Sequence, residues 1–248
     1  MYCFADYHTH TKHSHGRGTV AENVAAAAKL GLEVIAISDH GPNHLFHYGI
    51  RNLNVLQTIR RELEEACREH AGLRGLVGIE ANIISTAGDL DLPADKIDLV
   101  DLILANIHLA VWPKAGRDFF AIWGSHYGKK FWPSLRQRSL LINTEATINA
   151  LYKNEIKILT HPGQRFAIDY KEVAKACARR NTAFEINTSK NYLTPEILEI
   201  TASEGAKFVI NSDAHSPDRV GDFQTGLALA KRAGLTPREI LNARLLKS

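Results

Sequence analysis

The chain has 248 residues, of which 45% are hydrophobic and 23% charged, and its formal net charge at pH 7 is +3. These values are typical of a globular domain, and so small a net charge does not by itself favour a nucleic-acid partner. No apolar run reaches the roughly 18 residues of a transmembrane helix, and a strand pattern stands where a signal peptide would be. The cysteines are far apart and lack CxxC spacing, so we expect reduced thiols in a cytoplasmic protein: Cys3, Cys67 and Cys177.

Strand and helix patterns alternate along the chain. Short apolar, β-branched runs predict seven strands, at 2–8, 33–38, 75–81, 101–108, 157–161, 183–187 and 207–212. Amphipathic patterns between and after them predict helices at 19–31, 56–70, 144–154, 170–181, 194–205 and 225–234. Near-continuous apolar strands separated by helices indicate a parallel sheet covered on both faces. Seven such units favour an α/β fold, a closed barrel of (β/α)7 type, as a single domain over 1–248.

Histidines and carboxylates follow almost every predicted strand. The first strand ends in "DYHTHTKHSHG", where His8 and His10 share one face because strand side chains alternate. The later strands end in Asp39 and His40, Glu80, His108, His161, Asn187, and Asp213 with His215. Barrel active sites form at the carboxyl ends of the strands, so these side chains are expected to meet there.

The number of candidate ligands exceeds what one ion takes. A catalytic zinc ion typically has three protein ligands plus water, whereas nine candidates are present. They are His8, His10, His15, His40, Glu80, His108, His161, Asp213 and His215. We therefore expect two or three divalent ions. Imidazole and carboxylate without thiolate suit Zn²⁺, Mn²⁺ or Fe, and the sequence does not choose among them.

The ordered motifs "DYHTH", "SDHG", "GIEAN", the strand-four histidine, "THPG" and "SDAH" resemble the PHP (polymerase and histidinol phosphatase) superfamily. The similarity covers essentially the whole chain and is greatest to the stand-alone trinuclear metallophosphatases. It implies a distorted (β/α)7 TIM-like barrel that hydrolyses phosphate esters. It also implies a first ion at His8, His10, Glu80 and Asp213, a second that Glu80 bridges to His108 and His161, and a third at His15, His40 and His215.

Several assignments near these motifs stay open. His13 is the alternative to His15, which we prefer because it directly precedes the turn "HGRGT". Asp39 could orient His40 or cap the turn after the second strand. The other histidines that match no strand-end motif are expected in surface or loop roles, although "GPNHLFHYG" could line the substrate entrance: His44, His47 and His126.

The expected chemistry is hydrolysis by metal-bound hydroxide, since clustered divalent ions lower the pKa of water to about 7 and neutralise phosphoryl charge. Glu80, Asp213 and His215 are the candidate catalytic residues, and the third ion or a protonated histidine would assist the leaving group. Candidates for binding the substrate are Arg17, Arg165 and Asn187.

The longest stretch without a regular pattern lies at 112–138, after the fourth strand. It contains Trp112, Trp123 and Trp132, and its six basic residues outnumber its one acid, Asp118. Long loops are often functional. We expect a lid over an anionic site, with a surface for homo-oligomer formation as the alternative.

The most favoured function is hydrolysis of a small-molecule phosphate monoester. A phosphodiesterase or 3′-5′ exonuclease could use the same metal centre, and histidinol phosphatase is an alternative within the monoesterase class. A non-enzymatic scaffold is disfavoured because every expected ligand position is occupied. The predicted partner is a small phosphorylated substrate, with no membrane, and nucleic acid is not expected.

Overall fold

The computed structural model describes residues 1–246 except 129–131, 133 and 191, together with the backbone but not the side chain of His47. The strands are β1 Tyr2–Cys3, β2 Ala5–Thr9, β3 Val34–Ile37, β4 Arg74–Asn82, β5 Leu102–Asn106, β6 Ile158–Leu159, β7 Ala183–Asn187, β8 Phe208–Asn211 and β9 Ala243–Arg244. Strands β2 to β8 form one parallel sheet in chain order, which confirms the predicted (β/α)7 barrel.

The α-helices are α1 Val20–Lys29, α2 Val55–Arg68, α3 Gly116–Asp118, α4 Ser125–Gly128, α5 Ser134–Lys153, α6 Tyr170–Arg180, α7 Pro195–Ser203 and α8 Gln224–Arg232. Leu45–His47, Ala94–Leu99 and Pro217–Arg219 are 3₁₀-helices, and Phe119–Gly124 is a π-helix. Helix α1 begins with a capping box in which Thr19 and Glu22 each accept a backbone N–H of the other. None of the helices in the described part of the chain has the length and hydropathy needed to cross a bilayer.

The barrel closes between β2 and β8 largely through side chains. Thr9 and Ala214 form a single parallel bridge there. Below it, Oδ1 of the buried Asp6 carboxylate accepts the Ser212 N–H at 3.2 Å. Its Oδ2 accepts the Ser212 hydroxyl at 2.5 Å and the Gly221 N–H at 2.9 Å. A carboxylate thus links the two edge strands of the barrel where they share only a single bridge.

Strand register decides which side chains point into the barrel. Glu80 is level with Leu104, and Glu185 is level with Val209. Level residues of a parallel pair share a face. Leu104 and Val209 belong to a small buried apolar cluster made only of strand residues, separate from the main core between strands and helices. Glu80 and Glu185 therefore project into the barrel interior.

Two sequence expectations were wrong in detail. The strand predicted at 2–8 is two strands, because β1 leaves the barrel to pair antiparallel with β9. The helix expected at 144–154 is the end of α5, which begins at Ser134, so much of 112–138 is helical. A π-helix has a wider turn than an α-helix, and a 3.6-residue search therefore misses the periodicity of Phe119–Gly124.

Candidate metal centre

The carboxyl ends of the barrel strands surround a cavity of about 530 Å³. Its floor consists of His40, His108, His161 and Asp213, each no more than 9% exposed. Its rim consists of Phe46, Tyr48, Arg165 and Lys190, which are exposed or half-buried. His15, His44 and His215 complete the set of imidazoles along the wall.

Glu80 is the centre of the cluster. Its Oε2 lies 3.2 Å from His8 Nε2 and 2.9 Å from His40 Nδ1. Its Oε1 lies 3.1 Å from His108 Nε2 and 2.9 Å from His161 Nε2. Burial opposes ionisation of this carboxyl, but the surrounding imidazoles outweigh burial and hold its pKa well below the usual range. Each oxygen of one buried carboxylate thus faces two imidazole nitrogens.

Asp213 and the histidine pair of the first barrel strand form the second part of the cluster. His10 Nε2 lies 3.1 Å from His8 Nε2 and 3.2 Å from Asp213 Oδ1. Burial lowers the pKa of His10 to about 3, so this imidazole is neutral at pH 7 and keeps a lone pair. Two ring nitrogens and a carboxylate oxygen therefore converge at this point of the cluster.

The donor set fits divalent ions. Three buried polar atoms of the cluster form no hydrogen bond with any described residue, although other polar atoms lie near them. They are His40 Nδ1, His10 Nδ1 and Glu80 Oε2. Buried polar atoms normally have a partner, and the lone pairs of ring nitrogens and carboxylate oxygens are groups that a divalent ion would satisfy. Four sets of three ligand atoms lie within 4.8 Å of one another: His8, His10 and Asp213; Glu80, His108 and His161; His10, His40 and His215; and His40, His44 and His108.

A layer of hydrogen bonds behind these groups fixes their orientation. Glu185 accepts His8 Nδ1 at 2.7 Å and the backbone N–H of His161 at 2.7 Å. His108 Nδ1 contacts Asn82 Oδ1 at 2.7 Å. With Nδ1 donating, Nε2 of His8 and of His108 carries the lone pair that faces the cluster. Sequence reasoning missed Glu185, and the available signal was one carboxylate within the otherwise apolar run "AFEIN".

The structure places His15 and His13 in different environments. His15 lines the cavity, with ring centroids 5.0 Å from His40 and 4.4 Å from His215, and its Nδ1 bonds the Tyr48 carbonyl at 3.1 Å. His13 points away, with Nε2 2.8 Å from Glu62 on α2. The predicted third ligand set was His15, His40 and His215. The ligand atoms that lie within 4.8 Å of one another, however, belong to His10, His40 and His215.

Asp39 has neither of the roles considered for it. Its buried carboxylate accepts the Thr11 N–H at 2.7 Å and the Thr11 hydroxyl at 2.6 Å, and Ser14 also donates to it. These bonds hold the loop after β2, which carries His15. Asp39 therefore positions a wall histidine of the cavity and makes no hydrogen bond with His40 among the described contacts.

The three candidates for binding the substrate lie in different places. Arg165 lines the cavity. Arg17 is exposed and lies outside the described cavity lining, although its N–H donates to the His215 carbonyl at 2.8 Å. Asn187 is buried and donates to Glu185 at 3.0 Å and to Asp213 at 3.2 Å, so it contacts the cluster from behind.

Among the cavity-lining residues that were not assigned to the site from sequence are His44 and Lys190. His44 lies with its ring centroid 4.6 Å from that of His40, as the alternative reading of "GPNHLFHYG" allowed. Lys190 follows β7 and lies on the rim. His126 does not line the cavity but contacts Phe166, which does, with ring centroids 4.4 Å apart. The side chain of His47 lies outside the described residues.

The segment 112–138 supports the centre from behind. Trp123 is buried in the π-helix, and its Nε1 donates to the His108 carbonyl at 2.8 Å. Trp112 and Trp132 are exposed. Lys114 is paired with Asp89 at 2.7 Å, and Lys129 and Lys130 lie outside the described residues. No described residue of the segment lines the cavity, and the role of 112–138 as a lid stays a prediction.

Comparison with known proteins places this arrangement in a family. The model of the PHP domain matches residues 6–212. The chain belongs to the PHP family. A probable phosphatase of Shewanella sediminis is 32% identical to it, over 98% of this chain and 90% of that protein, and a probable phosphatase of Thermoanaerobacter is 31% identical over 96% and 89%.

A solved structure shares the fold of this PHP protein. The histidinol phosphate phosphatase of Lactococcus lactis, crystallised with zinc, L-histidinol and phosphate, superposes with a TM-score of 0.64 over 95% of both chains at 18% identity. At that identity the likeness concerns the fold alone. Family membership confirms the enzyme class predicted from the motifs, a metal-dependent phosphoesterase.

Proposed function

We propose that this PHP protein hydrolyses phosphate monoesters of a small molecule at a centre of two to three divalent ions. The observation that carries the proposal is Glu80, whose two buried oxygens each face two imidazole nitrogens. A carboxylate in that position suits a bridge between cations. Zn²⁺, Mn²⁺ and Fe all match ligands of this type.

The residues divide into three proposed binding sets. His8, His10, Glu80 and Asp213 would hold the first ion, and Glu80, His108 and His161 the second. His15, His40 and His215 would hold the third, with His10 close enough to contribute. Bound divalent ions would supply an activated water at neutral pH and would offset charge on the phosphoryl oxygens.

The chain's own groups contribute positioning and proton handling. His215 Nδ1 bonds the Asp213 carbonyl at 2.9 Å, which leaves Nε2 to bind an ion or to hold a proton for the leaving oxygen. The carboxylate of Asp213 lies 3.5 Å from His215 Nδ1 and helps to hold the ring in this orientation. Glu80, Asp213 and His215 are thus the proposed catalytic residues.

A small substrate is favoured over a polymer. The cavity volume of about 530 Å³ is within the range of small-molecule sites, and its floor is almost completely buried. A monoester can place its terminal phosphoryl group on such a floor, whereas a polymer needs an open groove. The cytoplasmic location and self-association through the 112–138 surface stay predictions.

The test uses the full chain reconstituted with Zn²⁺ or Mn²⁺. We expect two to three metal equivalents by elemental analysis and faster hydrolysis of p-nitrophenyl phosphate than of bis(p-nitrophenyl) phosphate. One equivalent or fewer after reconstitution would contradict a multinuclear centre. Preference for the diester, or degradation of single-stranded DNA, would favour the phosphodiesterase alternative instead.

A further inference from the structure

The rim of the cavity carries two basic side chains on neighbouring loops. Arg165 follows β6 and Lys190 follows β7, and these strands are adjacent in the sheet. Neither side chain has a hydrogen-bond or ion-pair partner among the described residues. Cations on a cavity wall without a protein counter-charge are suited to an anionic ligand.

Both loops are held in place. Ser189 precedes Lys190, and its hydroxyl donates to Asp213 Oδ2 at 3.0 Å, which ties this loop to the floor. Gly163 precedes Arg165 by two residues and has φ +85°, and a Cβ there would lie 2.3 Å from the Tyr170 hydroxyl. The turn that leads to Arg165 therefore needs glycine at this position.

The scissile phosphoryl group is not the natural partner of these cations. Under the proposed function, it would occupy the floor, where the imidazoles and Asp213 are no more than 9% exposed. Arg165 is exposed and Lys190 is half-buried, so both lie further towards solvent. They are therefore placed to contact the leaving group of the substrate.

The charge of the wall also excludes one class of leaving group. Asp213 is the single carboxylate among the described residues that line the cavity, and it is part of the candidate metal cluster. A cationic leaving group, such as the amino alcohol of histidinol phosphate, would find no acidic partner on the rim. It would instead face two positive charges.

We infer that Arg165 and Lys190 select phosphate monoesters whose leaving group bears a second anion, a carboxylate or another phosphate. This inference rests on the proposed function, since it assumes that the phosphoryl group lies on the floor. The two cations act as specificity-determining residues. They bind the far end of the substrate and make no contribution to the bond-breaking step.

The test measures binding without turnover. Alkyl phosphonates cannot be hydrolysed at the C–P bond, and matched series of increasing length can end in a carboxylate, a methyl or an ammonium group. Calorimetry on the Zn²⁺-loaded enzyme should give the highest affinity for the carboxylate series, a lower affinity for the methyl series and the lowest for the ammonium series. The affinities of the carboxylate and methyl series should differ by roughly tenfold. Equal affinities at every length, or preference for the ammonium series, would overturn the inference.

Variants assign the effect to the two residues. Arg165→Gln and Lys190→Gln should each remove most of the preference for carboxylate while leaving the affinity for the methyl series within about twofold. Lys231→Gln, an exposed lysine on α8 away from the cavity, is the matched control and should keep the preference. Retention of the full preference in both rim variants would also overturn the inference.

Failure of the inference is distinguishable from failure of the proposed function. If the loaded enzyme hydrolyses p-nitrophenyl phosphate but binds all three phosphonate series equally, the monoesterase proposal stands and the selectivity inference fails. If the carboxylate series binds tightest and no monoester is hydrolysed, the rim has the inferred preference and the proposed reaction is wrong.

Discussion

The buried floor of the cavity and its exposed rim differ in how their side chains are held. Floor groups contact one another and a second layer of hydrogen bonds, as in the chain from Glu80 through His8 to Glu185. Rim groups are held through their loops, and Phe46, which is 79% exposed, lies there with a positive φ of 58°. The barrel therefore fixes the reacting end of a substrate, whereas loops after single strands decide what the other end can be.

Backbone strain also distinguishes the floor. Asp213 has φ 51° and His161 has φ 24°, a region that residues other than glycine rarely adopt. Such conformations persist where the surrounding contacts determine them. At His161 the N–H donates to Glu185, and at Asp213 the side chain accepts from Asn187 and Ser189.

The largest expected effect comes from Glu80, the carboxylate at the centre of the candidate metal cluster. Glu80→Gln removes the charge and keeps the volume, so the imidazoles lose the carboxylate between them. We expect at least about a thousandfold loss in kcat, near 4 kcal/mol of transition-state stabilisation, and fewer bound metal equivalents. Steady-state kinetics and elemental analysis measure both, with circular dichroism to check the fold.

Glu62→Gln is the control for that variant, because Glu62 pairs with His13 outside the centre. It should retain full activity and metal content. If Glu80→Gln behaves like this control, Glu80 does not bridge metal ions and the floor has a different role.

The second largest effect is expected from Glu185, whose hydrogen bonds orient the candidate metal ligands. Glu185→Gln places an amide where His8 Nδ1, the His161 N–H and the Asn187 and Asn211 amides all donate. One donor must then face another. We expect metal affinity, measured by chelator competition, to fall by about 10- to 100-fold, while Glu172→Gln on the surface of α6 should leave it unchanged. Unaltered affinity in Glu185→Gln would mean that these hydrogen bonds do not orient the ligands.

The third effect compares two histidines on one loop. His15→Ala removes a cavity-wall imidazole and should lower kcat/KM by roughly tenfold or more, with loss of about one metal equivalent. His13→Ala removes a side chain that contacts Glu62 and should be nearly silent. Equal losses in the two variants would show that the loop rearranges when metal binds.

The smallest effect is expected from Trp123, whose side chain contacts the His108 carbonyl. Trp123→Phe removes the indole N–H that donates to the His108 carbonyl and part of a buried side chain. We expect a loss of about 1–3 kcal/mol in the free energy of unfolding and only a few-fold decrease in kcat. Denaturant unfolding measures the first quantity. A large decrease in kcat with unchanged stability would instead indicate that the 112–138 segment takes part in turnover.

The sequence by itself determined the order of strands and helices and the residues that end each strand. Apolar runs such as "KFVINS" are distinct because both faces of a parallel strand are buried, and the histidine motifs stand where these runs stop. The common edge of a parallel barrel then implies that His8, Glu80 and His161 meet, although they are far apart in sequence. The helical character of Phe119–Gly124 is not visible in the sequence because a π-helix does not have the 3.6-residue period of an α-helix.

Only the tertiary structure decided which way individual side chains point and therefore which groups they contact. His13 and His15 are two residues apart on a loop, where alternation does not hold, and only the packing against α2 sends His13 to Glu62. Glu185 is adjacent to apolar residues in sequence, and its inward direction follows from register with Val209. Lys190 has no motif, and its place on the rim follows from Ser189 bonding Asp213 across adjacent strands. These choices depend on distances between separate strands, which a linear pattern does not contain.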